Sequence, residues 1–120
     1  MSDKIFDIGI IGYGPVGATL SGLLSSLGLS VVVIEKNEGV SPTARAINTD
    51  SEQLRTFNFL SIATEVIANS RRLKKVHFTD SEFNPYSSID IPEEDKLGWP
   101  PTLLFYQPEL ETIIRSNNLK

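Results

Sequence analysis

The sequence predicts an α/β fold built on a parallel β–α–β unit, and three observations carry that expectation. A short apolar run (Ile8, Ile10, Ile11) leads directly into Gly12-Tyr13-Gly14-Pro15-Val16-Gly17. An amphipathic stretch follows, with Val16, Leu20, Leu23 and Leu27 at i, i+4, i+7 and i+11, the spacing of one helical face. A second apolar run, Val31-Val32-Val33-Ile34, closes on the acid Glu35.

Strand, glycine turn, helix, strand and acid in that order are the sequence signature of a dinucleotide-binding unit. Gly12 permits a tight turn off the strand, Gly14 lets main-chain N–H groups approach a pyrophosphate, and Gly17 lets the helix sit close on the sheet. The helix start, opened by Pro15 and Val16, offers unpaired N–H groups and a partial positive charge to phosphates. Glu35 stands 23 positions after Gly12, near the ~20 expected of an acid that accepts from ribose hydroxyls. Its carboxylate would repel a 2′-phosphate, which favours FAD or NAD over NADP. A glycine pattern alone arises by chance in turns. Here its context is right on both sides, with Ser21 small one turn after Gly17 and Gly28 placed as a helix C′ residue.

Composition narrows the class. The 120 residues are 40% hydrophobic and 22% charged, values of an ordinary globular domain. A net charge of −4 argues against a nucleic-acid partner. The absence of cysteine excludes disulfides and thiolate metal sites, and a single histidine argues against a His-based metal cluster, so no metal site is expected. Asp3 and Asp7 precede the first strand, no secretory segment is visible, and no run approaches ~18 apolar residues. The expectation is a cytoplasmic protein with no membrane partner.

The remaining elements follow in order. Asn37 to Asn48, broken by Gly39 and Pro42, reads as a loop carrying the lone cation Arg45. Thr49-Asp50-Ser51-Glu52 fits a capping box with Thr49 as N-cap and Glu52 reaching back; Leu54 and Phe57 give the helix that follows an apolar face. A second short helix is expected from about Ser61 to Ala68, with Ile62 and Val66 on one side. Leu73 to Thr79 and Ser87 to Ile91 alternate apolar and polar residues around the turn-rich DSEFNPYS, which predicts an antiparallel, half-buried pair. Pro92 to Pro101 is a second loop. Leu103 to Tyr106 is a short apolar strand leading into a helix with Pro108 at N1, acids in its first turn and Leu110, Ile113 and Ile114 on its buried side. Only two parallel strands and one helix are secure in the first unit, and a strand–helix unit normally returns with another strand. The expectation is therefore the N-terminal part of a longer protein, whose exposed half-sheet favours self-association into a homo-oligomer.

The order DIGIIGYGPVG, VVVIEK, ARAI, LGWPP and FYQPELE resembles the N-terminal part of the FAD-dependent aromatic hydroxylases of the p-hydroxybenzoate hydroxylase type. Within that group it is most similar to hydroxylases of the 3-(3-hydroxyphenyl)propionate type. The resemblance covers nearly the whole chain, and the combination with Arg45-Ala46 and Gln107-Pro108 is its specific part. It implies a Rossmann-like FAD-binding unit with an inserted antiparallel β pair, incomplete at its C-terminus. Residues 1–71 and 102–120 would belong to the FAD-binding domain, and 72–101 would be the first segment of a substrate-side sheet. It also implies a flavoprotein monooxygenase that takes FAD as cofactor and NAD(P)H as co-substrate, and hydroxylates a small aromatic substrate with O₂. By position, Gly12, Gly14, Pro15, Val16 and Gly17 would hold the pyrophosphate, Glu35 the adenosine ribose, and Lys36 would flank the adenosine. Arg45 would lie near the ribose–pyrophosphate region and Gln107 beside the ribityl chain. The Asp-Gly and Gly-Asp dipeptides that such enzymes carry further along occur nowhere in this sequence.

No catalytic acid or base emerges. His77 falls on the polar face of an expected strand with no partner beside it, Glu93-Glu94-Asp95 reads as a solvated acidic run, and Trp99 and Tyr106 read as packing residues. Two other readings stay open on the residues alone. A stand-alone nucleotide-binding protein without turnover suits the chain length. An NAD-dependent dehydrogenase domain would want a further helix and parallel strand soon after Glu35, where this chain has a long Arg-bearing loop.

Overall fold

The computed structural model describes residues 4–119; Asp3 and Lys120 lie outside that range. The elements run β1 (Ile8–Ile11), α1 (Pro15–Ser26), β2 (Val31–Ile34), β3 (Asn48–Asp50), α2 (Ser51–Phe59), α3 (Ala63–Ala68), β4 (Arg71–Arg72), β5 (Lys75–Thr79), β6 (Pro85–Asp90), β7 (Thr102–Leu104) and α4 (Gln107–Asn118). The two apolar runs pair in parallel as β1 and β2, from Ile8 opposite Val31 to Ile11 opposite Ile34, with α1 as the crossover. At the start of the pair Asp7 accepts from the N–H and hydroxyl of Ser30 at 2.8 and 2.6 Å. Gly28 ends α1 as its sequence position predicts, at φ +85°. Its N–H donates to Ser25 O at 2.9 Å and the N–H of Leu29 to Leu24 O at 3.2 Å, a Schellman closure.

The face that α1 buries is not the predicted stripe. Ala18, Ser21 and Gly22 are its buried residues, whereas Val16 is 81% exposed and Leu27 69%. Small residues win because α1 packs against α4, and close helix approach needs a surface without bulk. Asn118 on α4 donates to Ala18 O at 2.8 Å and to Ser21 Oγ at 3.0 Å across this contact. Val16, Leu20 and Leu23 line an open apolar groove of about 430 Å³ together with Phe57, Phe105 and Leu110.

The main core lies away from the parallel pair. Leu54 and Phe57 of α2, Val66 of α3, Leu103 of β7 and Ile114 of α4 are all but fully buried. They sit beside Leu60, Ile62, Ala63, Leu110 and Ile113. The predicted last strand is confined to Thr102–Leu104 and is the middle of an antiparallel sheet in the order β3–β7–β4. Periodicity could not show this sheet, because its outer strands are three and two residues long.

Several boundaries shift for physical reasons. Thr49 is drawn into β3 opposite Leu103, so Asp50 caps α2, its Oδ1 accepting from the Gln53 N–H at 2.9 Å. Ser61 adopts φ 61°, which delays the start of α3 to Ala63. Helix α4 begins one residue early, with Gln107 ahead of Pro108. The expected antiparallel pair forms β5–β6, with Val76 opposite Ile89 and His77 opposite Ser88. Its expected half-burial does not hold: Phe78 and every residue of β6 are exposed. The radius of gyration is 17.7 Å, against about 14 Å for a compact chain of this length. His77 is exposed and Trp99 packs on the core as expected, while Tyr106 is exposed rather than packed. Asp95 is also more than a solvated charge. Its Oδ1 accepts from the Leu97 N–H at 2.8 Å, and the Ser51 hydroxyl ahead of that N–H holds its carboxyl below the usual value. No helix among the described residues is long and apolar enough to cross a membrane.

Candidate functional site

The glycine turn at the end of β1 is shaped from both sides. Gly12 has φ +97°, a left-handed conformation that a side chain would strain, and its N–H continues the parallel ladder to Ile34 O at 2.8 Å. A Cβ on Gly17 would lie 2.1 Å from Gly12 O, so the first turn of α1 is pressed directly onto the turn's main chain. A Cβ on Gly14 would meet nothing within 4 Å; that residue borders open space. No side chain caps α1, Pro15 opens it, and its first N–H bonded within the helix is that of Ala18, to Gly14 O. The N–H groups of Val16 and Gly17 thus precede the first helical hydrogen bond and form the positive end of the helix.

Glu35 ties this turn to the end of β2. Its Oε2 accepts from the Tyr13 N–H at 2.7 Å, and its Oε1 accepts from the main-chain and side-chain N–H groups of Asn37, both at 2.9 Å. The Tyr13 N–H, then that of Asn37, holds the carboxyl below its ordinary value. It is therefore ionised at neutral pH, with lone pairs left for a hydroxyl donor.

A third wall comes from α4 and the long loop. Gln107 is buried, and its Oε1 accepts from the N–H groups of Arg45 and Ala46 at 2.7 and 2.9 Å. This contact bridges 62 positions of sequence and holds the loop against the start of α4. Gly14, Pro15, Glu35, Lys36, Arg45 and Gln107 all line one cleft of about 580 Å³, along with Asn37, Glu111 and Arg115. Six of the nine residues singled out in the sequence are brought together there. Gly12 and Gly17 shape the turn behind it, and Val16 faces the separate apolar groove. Tyr13, Asn37, Glu111 and Arg115 were not singled out. One signal did exist: Gln107, Glu111 and Arg115 stand at i, i+4 and i+8, a polar row beside the apolar Leu110 and Ile114.

Chemically, the cleft offers the cations Lys36 and Arg45 to an anion and an ionised carboxylate to a hydroxyl, next to a helix start that no side chain caps. Arg115, also in the lining, is tied within the protein to Glu111 and to the carbonyl of Tyr13. This donor set fits a ligand that joins a diphosphate to a ribose.

A parallel β–α–β unit with a glycine turn, an uncapped helix start and a closing acid is the architecture of a dinucleotide-binding domain. More particularly, the chain belongs to the FAD binding domain family, which it matches over residues 6–119. It is 32% identical over 111 residues to a probable NADH-specific resorcinol 4-hydroxylase of Rhodococcus jostii, covering 92% of this chain and 21% of that protein. It is 34% identical over 108 residues to a 3-(3-hydroxy-phenyl)propionate/3-hydroxycinnamic acid hydroxylase of Comamonas testosteroni, covering 90% and 18%. The chain thus spans about a fifth of the length of these curated relatives. Among solved structures it is similar to p-nitrophenol 4-monooxygenase of Pseudomonas putida, with a TM-score of 0.83 at 21% identity over 94% of this chain and 29% of that one. A flavin-dependent monooxygenase in complex with FAD and substrate gives 0.80 at 21% identity, over 99% and 23%. At such identities the two structures speak to the fold, and they agree with the α/β architecture that the sequence predicts.

Proposed function

We propose that this chain is the N-terminal, FAD-binding part of a flavoprotein monooxygenase that hydroxylates a phenolic or related aromatic substrate with NAD(P)H and O₂. The observation that carries the reading is the gathering of Gly14, Pro15, Glu35, Lys36, Arg45 and Gln107, drawn from four separate stretches of sequence, around one cleft at the start of α1. The helix start and Arg45 hold the pyrophosphate, Glu35 accepts from the adenosine ribose, Lys36 flanks the adenosine, and Gln107 lies toward the ribityl chain. Bound there, the flavin supplies the redox chemistry, being reduced by NAD(P)H and activating O₂ to oxygenate an aromatic ring. The protein's own part within these residues is to bind, orient and neutralise charge. No general acid or base is assigned.

The names of the relatives support the substrate class, since both act on phenolic compounds, and that of the Rhodococcus protein supports a nicotinamide donor. Residues 1–71 and 102–120 form the FAD-binding domain in this reading. Segment 72–101, with its exposed β5–β6 hairpin, is the first piece of the substrate-side sheet. A cytoplasmic location goes with it. The experiment is a visible absorption spectrum of the purified protein after gel filtration. Retained flavin bands support the reading, and a colourless protein that takes up no added FAD refutes it.

A further inference from the structure

Glu111 has no task in the proposed function, yet it is 2% exposed, and a buried carboxylate is costly unless it is paired and hydrogen-bonded. Its Oε1 accepts from Gln107 Nε2 at 2.8 Å, and its Oε2 lies 3.4 Å from an Arg115 Nη. Arg115 in turn donates to the carbonyl of Tyr13 and lies 4.6 Å over that residue's ring. The Tyr13 N–H belongs to Glu35. One row on α4 therefore ties the Arg45–Ala46 loop at one end to the glycine turn at the other. Both border the cleft, through Arg45 and Gly14.

Packing alone does not require charge here, because apolar side chains of like shape commonly equal or exceed a buried ion pair in stability. What the pair adds is orientation. Gln107 could present either its oxygen or its nitrogen to the loop. Glu111 only accepts, so it draws the Gln107 amide nitrogen toward itself and leaves Oε1 aimed at the two loop N–H groups.

We propose that Glu111 and Arg115 are positioning residues for the nucleotide cleft, setting the distance between the Arg45–Ala46 loop and the glycine turn and so the grip on the ligand's diphosphate. The inference rests on the FAD reading above. Its test uses the full chain carrying E111L/R115M, which removes both charges while keeping bulk, and E111Q, whose amide oxygen can still accept from Gln107. Three quantities are read: the melting temperature without FAD, amide exchange at Arg45 and Ala46 without FAD, and the FAD dissociation constant from flavin fluorescence.

The double variant is expected to melt within a few degrees of the parent. It should also lose amide protection at both loop positions and bind FAD about ten- to a hundredfold more weakly, the loss expected when hydrogen bonds to a charged group go. E111Q is expected to fall between the parent and the double variant, since its amide oxygen can still accept from Gln107 but its side chain no longer only accepts and no longer balances Arg115. A double variant that folds, keeps its loop amides protected and binds FAD as the parent does overturns the inference. Equal losses in E111Q and the double variant also overturn it, because they would track charge and not orientation. Should the double variant fail to fold, R115K serves instead: it keeps the charge but cannot both stack on Tyr13 and reach its carbonyl, and unchanged FAD affinity there refutes the role. A parent chain that binds no FAD fails the broader reading, whereas unchanged amide protection in a folded variant fails this inference alone.

Discussion

Replacing Gly17 with alanine separates two opposed physical effects. In an unobstructed helix the change stabilises, because alanine exceeds glycine in helix propensity by about 1 kcal/mol. Here the new Cβ lies 2.1 Å from Gly12 O and 3.1 Å from Gly12 C, main-chain atoms that no rotamer can move aside. Relief to the 3.4 Å of ordinary contact means moving the helix start back by about 1.3 Å. Overpacking of this kind costs about 1–3 kcal/mol, and a main-chain clash belongs at the upper end. Set against the propensity gain, the net loss is about 2 kcal/mol, or a fall of about 8 °C in melting temperature for a domain of this size. Gly14→Val is the contrasting substitution. With open space around that position and an ordinary φ of −74°, it should cost at most about 1 kcal/mol, through the weaker capping preference of valine. In the proposed reading it nevertheless abolishes flavin retention by blocking the approach of the pyrophosphate. Circular dichroism melts with and without FAD distinguish the two. A Gly17→Ala protein that melts at or above the parent temperature would refute the close seat of α1 on the glycine turn, and with it the reason a glycine is needed there.

Asp50→Ala should lower stability by about 1 kcal/mol through loss of the cap on Gln53, while Thr49→Ala changes urea stability by less than half of that; the reverse ranking would restore Thr49 as the cap. Acid dependence follows from Glu35, whose folded-state carboxyl is held below its ordinary value, first by Tyr13 and then by Asn37. A depressed folded pKa gives stability that is present above the unfolded value near 4.5 and is lost as the pH falls through the folded one. In urea titrations across pH, Glu35→Gln should therefore be less stable than the parent at pH 7, with the difference shrinking below about pH 4.5; a constant difference at every pH would count against the ionised contact. Phe57→Ala, at the centre of the core, should cost about 3–5 kcal/mol in the same assay, enough to unfold much of a marginal chain.

Local chemistry made much of this protein legible. The turn at Gly12, the crossover helix and its glycine closure depend on residues within a few positions of one another, and the parallel pair joins two apolar runs that this helix returns to each other, Ile8 opposite Val31, so periodicity and turn preference suffice to find them. The apolar faces of α2 and α4 were visible for the same reason. The capping residue of α2 was misread because Thr49 and Asp50 are equally good caps by type, and only strand pairing with Leu103 takes Thr49 out of contention.

The candidate site divides along the same line. The place of Glu35 beside the glycine turn follows from its spacing, since strand and helix lengths dictate where it falls. Arg45 and Gln107 rested on resemblance, because nothing local says that two residues 62 positions apart share a hydrogen bond. The Glu111–Arg115 row was written into the sequence as helical spacing, but its meaning depends on what α4 faces. That is also why the large residues Val16 and Leu20 line a groove while Ala18, Ser21 and Gly22 are buried. Sequence alone determined the parallel pair, the helices and the glycine turn that joins β1 to α1. Tertiary structure decided which helix face is covered and which distant side chains meet, because burial is a property of the neighbour as much as of the residue.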